Sequence, residues 1–357
     1  MDVMLVLAPG LSSTLQDHGR RAGIGSGIPP GGAADGYAYH LNCLVLGNPA
    51  GAAVIEHVLK GGRYQALAAV TVALTGADMA ATVNGASIPL AAPVTLKRGD
   101  VLETRVARRG CFGYLGVLGG GLACDRVFGS ASTYLDGQLG GLHGRALKAG
   151  DVLDLDTGQA PLGSMVEAPD EHAYLCSPPT QLRFTRGPQR EYFGDATYTA
   201  FTTQPCRVSP RSNRVGYRID GTPPAVLPVP RTKDTGSGPT DIIEEGNPIG
   251  AIQIAGGKEI ICLGRDCGTS GAYAKIGCLI GVDVSRMAQL APGSRFRFAE
   301  VSPSQARSIR AEYSAVLGGV ARRAGSAPAG GPSSVSAATS RRNDMPMRGR
   351  KGCPSWK

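Results

Sequence analysis

Two dense motifs in the second half of the chain carry side chains able to handle a small carbonyl or carboxylate compound. The first is Ser212-Asn213-Arg214-Val215-Gly216-Tyr217-Arg218-Ile219-Asp220-Gly221. The second runs from Gly250-Ala251-Ile252-Gln253-Ile254 to Gly268-Thr269-Ser270-Gly271-Ala272-Tyr273-Ala274-Lys275-Ile276-Gly277. Gln253 offers an acceptor and two donors, suited to a lactam or urea amide. Tyr273 and Lys275 are two apart, so on one strand they would share a face. There a phenol and an ammonium can polarise a carbonyl or hold a carboxylate oxygen. Arg214 and Arg218 present planar forks that match carboxylates. Gly268 and Gly271 would admit a substrate close to the backbone. Plainer roles compete with these. Tyr217 serves equally as a core residue with a tethered hydroxyl, and Arg218 could pair with Asp220 across a surface turn. Gln253 could be structural, and Tyr273 with Lys275 could form an exposed strand face.

In the first half, Gln16 and Asp17 stand beside a glycine-rich loop and could contribute to a site at a lobe interface, or Asp17 could fix a turn. Ser132 and Thr133, in a second glycine-rich loop, could donate to an anion, although ordinary turn chemistry also explains them. Absences narrow the chemistry. Gly257-Lys258 is followed by Glu259 and lacks the earlier glycine of a phosphate-binding loop, so ATP binding by this chain is not expected. Gly23-Ile24-Gly25-Ser26-Gly27 does not complete a dinucleotide fingerprint. The sequence has no Gly-x-Ser-x-Gly elbow, its five histidines are scattered, and no Met-Lys-Met biotin attachment site occurs.

The elements that would position these residues are short. The 357 residues predict two lobes. With 5% aromatic residues the cores must be aliphatic, and 52 Gly with 25 Pro indicate many tight turns between strands. Asp35 is a fitting N-cap for a helix through Tyr37, Leu41, Leu44 and Val45 that stops at Gly47-Asn48-Pro49. Strand-like runs cover Val3 to Leu7, Ala53 to Leu59, Ala68 to Leu74, Ala81 to Val83, Val101 to Val106, Tyr114 to Leu118 and Val152 to Leu155. Residues 1–156 form the first lobe, and proline-rich 157–180 reads as a linker. The second lobe spans 181–302 and includes an alternating, edge-type strand, Gly293 to Phe298. A helix over 303–317 follows, and 318–357 reads as a disordered basic tail.

The net charge of +9 raises nucleic-acid binding as a possibility. Eight of the basic residues lie beyond residue 318 against one acid, Asp344, so the charge belongs to the tail and no nucleic-acid partner is expected. The longest mostly apolar run, Ala66 to Leu74, is too short to cross a bilayer, which implies no membrane partner. Nine cysteines without a Cys-x-x-Cys pair read as reduced thiols in a cytoplasmic protein. Cys262, Cys267 and Cys278 match no metal spacing, so no metal is expected.

The two motifs, with Leu15-Gln16-Asp17-His18-Gly19-Arg20, Ile28-Pro29-Pro30-Gly31-Gly32-Ala33-Ala34-Asp35, Leu46-Gly47-Asn48-Pro49 and Glu56, resemble the allophanate hydrolase subunit 2 family. Leu74-Thr75-Gly76-Ala77-Asp78, Gly129-Ser130-Ala131-Ser132-Thr133-Tyr134-Leu135 and Gly144-Arg145-Ala146-Leu147 extend the likeness over roughly residues 3–300. The family includes the C component of 5-oxoprolinase and half of the urea carboxylase carboxyltransferase domain. The resemblance implies a mainly β fold of two β-rich lobes with few short helices, the second lobe a cyclophilin-like β-barrel. It implies an obligate partner of the subunit 1 family, and in the oxoprolinase branch also a lactam-utilisation subunit.

In that branch the complex opens 5-oxoproline to glutamate with ATP, and this chain binds no cofactor alone. Lys275 and Tyr273 would then be catalytic, with Gln253, Arg214, Tyr217, Gly271, Ser132, Gln16 and Asp17 binding a small amide substrate. In the urea carboxylase branch, carboxyl transfer from biotin on a partner to urea replaces this. Some members are instead labelled antagonists of a sporulation-kinase inhibitor, a non-catalytic role. Gly264-Arg265-Asp266 looks like the urea carboxylase branch, and Tyr273 to Ile276 like the oxoprolinase branch.

Overall fold

Short apolar runs punctuated by turn residues fold into a mainly β molecule with five α-helices among the described residues. The computed structural model describes residues 1–227 and 238–325. The first lobe contains β1 (Asp2–Ala8), β2 (Ser13–Gln16), α1 (Gly36–Leu46), β3 (Val54–Val58), β4 (Arg63–Ala66) and β5 (Val70–Asp78). It continues with β6 (Thr82–Val83), β7 (Ala86–Ser87), β8 (Val94–Leu96), β9 (Val101–Glu103), β10 (Arg109–Val117) and β11 (Val152–Asp154). Two sheets, β11-β1-β4-β9-β6-β7 and β2-β3-β10-β5-β8, share an aliphatic core that includes Val6, Leu15, Ile55, Val72 and Leu115.

Helix α1 forms where the sequence places it. The Asp35 carboxylate accepts from the Tyr37 and Ala38 amides, and Gly47 stops the helix in the left-handed conformation, φ 68°. Every residue of α1 is buried.

The second half contains α2 (Pro169–Leu175), β12 (Gln181–Arg186), α3 (Asp195–Thr203), β13 (Cys206–Val208), β14 (Gly216–Asp220) and β15 (Asp241–Gly246). It ends with β16 (Ala251–Ala255), β17 (Glu259–Leu263), β18 (Ser270–Tyr273), β19 (Lys275–Leu279), α4 (Gly281–Ala288), β20 (Arg295–Glu300) and α5 (Pro303–Arg323). Seven strands close a barrel in the order β12-β19-β16-β17-β14-β13-β20, while β15 and β18 form a separate two-stranded ribbon. The barrel is filled by residues such as Phe184, Phe201, Ile252, Ile276 and Phe298.

Three expectations are corrected. The proline-rich linker contains α2, with Pro169 in its first turn and His172 bonded to the Gly76 carbonyl oxygen at 2.9 Å. The strand expected at an edge is β20, paired with β12 on one side and β13 on the other, because barrel closure removes the edge. Helix α5 runs past Leu317 to Arg323, because Val320 and Ala321 pack into the same core as α1. Residues 318–325 of the expected tail are therefore ordered, and 326–357 lie outside the described residues. No described helix is long and apolar enough to cross a membrane. The eight described cysteines are free.

Candidate functional site

Strands β16 and β19 pair antiparallel with Gln253 opposite Lys275. Ile252 pairs with Gly277, so Ile276 is an extra residue on β19, a β-bulge that re-aims the side chains beside it. Ala274 and Ile276 are fully buried, and Lys275 is buried with them at 2% exposure. Gly187 gives this stretch room, since a Cβ there would lie 2.0 Å from the Lys275 carbonyl oxygen.

The Lys275 amide donates to Gln189 Oε1 at 3.0 Å, and Lys275 Nζ donates to Glu245 Oε1 at 2.7 Å. Gln189 Nε2 donates to the same carboxylate oxygen at 2.9 Å. Partial burial pushes the Glu245 carboxyl up, but the bonds from Lys275 and Gln189 prevail and hold it below the ordinary range. Gln253 Nε2 donates to Asn247 Oδ1 at 3.0 Å, and among the described residues its carbonyl oxygen has no partner. A residue with a free amide acceptor and one with a buried ammonium are thus register partners on adjacent strands, each bonded to a residue within or directly after β15. That pair can accept from an amide N–H and donate to a carbonyl or carboxylate oxygen of one small molecule.

Tyr273 does not share this face, contrary to the i, i+2 expectation. The chain leaves the ribbon at Ala274, whose amide donates to the Thr240 carbonyl oxygen, and enters the barrel at Lys275. Tyr273 is 40% exposed. Gly271 lies in the ribbon, where its missing side chain makes room for Asn247: a Cβ would come within 2.7 Å of Nδ2. Gln189, Glu245 and Asn247 escaped the sequence reading. Glu245 and Asn247 stand just before the Gly250 motif, a signal that could have found them, whereas Gln189 arrives only through tertiary folding.

The first-lobe candidates form a network of their own. Asp17 accepts from the Gly19 amide, Ser130 Oγ and the Ala131 amide, at 2.8, 2.6 and 2.7 Å. Gln16 Oε1 accepts from Ser132 Oγ at 2.6 Å, while Ser132 Oγ accepts from the Gly32 amide at 2.7 Å. These buried bonds hold two glycine-rich loops together. In this structure the polar atoms of Gln16, Asp17 and Ser132, expected to meet substrate, are engaged with one another and with these loops.

Arg214 is likewise occupied. It donates to Glu56 Oε1 at 2.5 Å, to Asp266 Oδ2 and Oδ1 at 2.8 and 3.0 Å, and to the Gly32 carbonyl oxygen at 2.8 Å. Glu56 Oε2 also accepts from the Ala34 amide and the Tyr114 hydroxyl, at 2.7 and 2.9 Å. The fork expected to meet a ligand carboxylate therefore ties the second lobe to the first. Arg218 pairs with Glu259 rather than Asp220. Tyr217 is buried and lines a cavity of about 370 Å³ between the lobes, together with Arg214, Glu56 and Asp266.

A two-sheet lobe, a closed seven-stranded barrel and an interlobe ion network accord with the sequence match over residues 26–300 to the carboxyltransferase domain, subdomain A and B. The chain belongs to that family. It is 32% identical over 308 residues to the C component of 5-oxoprolinase from Escherichia coli K12, covering 86% of this chain and 94% of that protein. It is 28% identical over 320 residues to urea amidolyase of Saccharomyces cerevisiae, covering 85% of this chain but only 17% of the longer protein. The crystal structure of Kluyveromyces lactis urea carboxylase superposes with a TM-score of 0.83 at 28% identity, covering 89% of this chain and 29% of that one.

Proposed function

We propose that this chain is a subunit of an ATP-dependent 5-oxoprolinase, in which the end of the barrel bearing Gln253 and Lys275 holds the lactam. The carrying observation is the near full-length match to a free-standing 5-oxoprolinase component. In this reading Gln253 Oε1 accepts the lactam N–H and Lys275 donates to the carbonyl or carboxylate oxygen. Charge growing on the carbonyl oxygen during ring opening would be stabilised by the ammonium. Glu245, bonded to Lys275, fixes the direction of that ammonium. The assembly is completed by a subunit 1 family partner and a lactam-utilisation subunit, which bring the nucleotide.

The test is 5-oxoproline-dependent ATP hydrolysis and glutamate release with this chain added to, or left out of, its partner subunits. Turnover that needs this chain supports the reading, and equal turnover without it rejects it. A second reading, carboxyl transfer from biotin on a partner to urea or a related amide, is favoured by the superposition on urea carboxylase. Urea-dependent decarboxylation of a carboxybiotin carrier would select it.

A further inference from the structure

The interlobe cavity of about 370 Å³ is separate from the barrel end and has a different chemical character. Its walls are largely apolar, built from Val58, Leu59 and Phe112 of the first lobe and Val208, Leu290 and Pro292 of the second. Its floor is the ion network of Arg214, Glu56 and Asp266, in which Glu56 and Asp266 use both oxygens on protein donors. Counting Asp136, the lining residues carry three carboxylates against one guanidinium. Such a lining repels anions, and a carboxylate such as 5-oxoproline has no unpaired cation there.

Among the buried lining residues one hydroxyl is left over. Tyr217 lines the cavity at 6% exposure, and its hydroxyl makes no hydrogen bond among the described residues. The hydroxyl oxygen keeps access to the cavity, where a water or a ligand acceptor can meet it. Burial also lifts its pKa well above the ordinary phenol range, so it stays a donor.

We propose that this cavity is a second ligand site, taking an uncharged, largely apolar molecule whose carbonyl oxygen accepts from the Tyr217 hydroxyl. The walls come from both lobes, so such a ligand braces one against the other. The inference is independent of the oxoprolinase reading, because binding here needs no partner subunit, nucleotide or turnover.

The probe is 6-propionyl-2-(dimethylamino)naphthalene, an uncharged ketone with an apolar bicyclic body, titrated into the full chain and followed by its emission. Saturable binding at one site per chain with blue-shifted emission is expected. Tyr217→Phe removes only a hydroxyl that bonds nothing among the described residues, and should weaken binding about 3- to 10-fold. Leu11→Trp, at an exposed position on the rim, should weaken it further by filling the entrance. The anionic 1-anilinonaphthalene-8-sulfonate should bind at least about ten-fold more weakly than the ketone. The proposal is overturned by absence of saturable binding, by affinity unchanged in both variants, or by the sulfonate displacing the ketone at comparable concentration. The ATP hydrolysis assay is read separately, so failure of either proposal leaves the other standing.

Discussion

Gln253 and Lys275, twenty-two positions apart in sequence, sit directly opposite each other across the β16–β19 pairing at a β-bulge. The pairing sets a lysine and a glutamine side by side in a barrel otherwise packed with aliphatic and aromatic side chains. Lys275→Met keeps the stem and removes the charge. In the reconstituted complex it should lower kcat/KM about 100-fold, with the melting temperature close to wild type. Wild-type turnover in this variant would remove Lys275 from the site.

Tyr273→Phe provides the contrast. Its ring is part-exposed on the ribbon, and it is the backbone carbonyl oxygen of Tyr273, not its hydroxyl, that accepts from Lys275 Nζ at 3.5 Å. Turnover should remain within about two-fold of wild type, as for a surface change away from any special feature. A large fall in kcat at unchanged stability would restore the phenol to the chemistry.

Gly187→Ala tests the backbone that supports the ammonium. The added methyl would meet the Lys275 carbonyl oxygen at 2.0 Å, so β19 has to shift. Overpacking of this kind costs about 1–3 kcal/mol, and turnover should drop with it. Denaturant titration beside the activity assay reads both effects, and an unchanged midpoint would contradict the packing described.

Arg214→Ala leaves Glu56 and Asp266 buried without their cation. The loss should be about 3–5 kcal/mol, whereas Glu56→Gln, which keeps an acceptor toward Arg214, should cost less. Equilibrium unfolding of the two variants decides this, and equal small losses would show that the lobes are held by apolar packing alone.

Asp35 gives a pH signature. Burial raises its carboxyl to about 6, against the bonds from Gln289, Ala38 and Tyr37 that pull it down. Between the ordinary carboxylate value and 6 the folded state binds more protons than the unfolded chain. The contribution is therefore full at low pH and is lost as pH rises through 6, on the order of 2 to 3 kcal/mol. The stability difference between wild type and Asp35→Asn should thus be larger at pH 4.5 than at pH 7. A difference independent of pH would show that this carboxyl is not perturbed.

Local signals made part of this legible. Asp35 and Gly47 bound α1 because capping is written within a few residues of the helix. The short strands followed from apolar runs between turn residues. What escaped depends on contacts far apart in sequence. The spacing of Tyr273 and Lys275 describes one face only if a single strand carries both, and the break at Ala274 is imposed by pairing with Thr240 on one side and β16 on the other. Arg214 has the chemistry of a ligand fork, but Glu56 reaches it from 158 residues away and occupies it first. Gln16 with Asp17, and Ser132 with Thr133, read in sequence as two separate loop features, and only the folded chain joins them through the Ser132–Gln16 and Ser130–Asp17 bonds.

Helix α1 is walled in by Tyr313, Leu317, Val320 and Ala321 from α5, the last described helix. While a ribosome makes this chain, α1 emerges well before α5, its outer wall. At roughly 5–20 residues per second the nascent helix waits on the order of tens of seconds for its cover. During synthesis the first lobe thus presents an apolar stripe that chaperones can grasp, and it becomes proteolytically secure only when α5 docks.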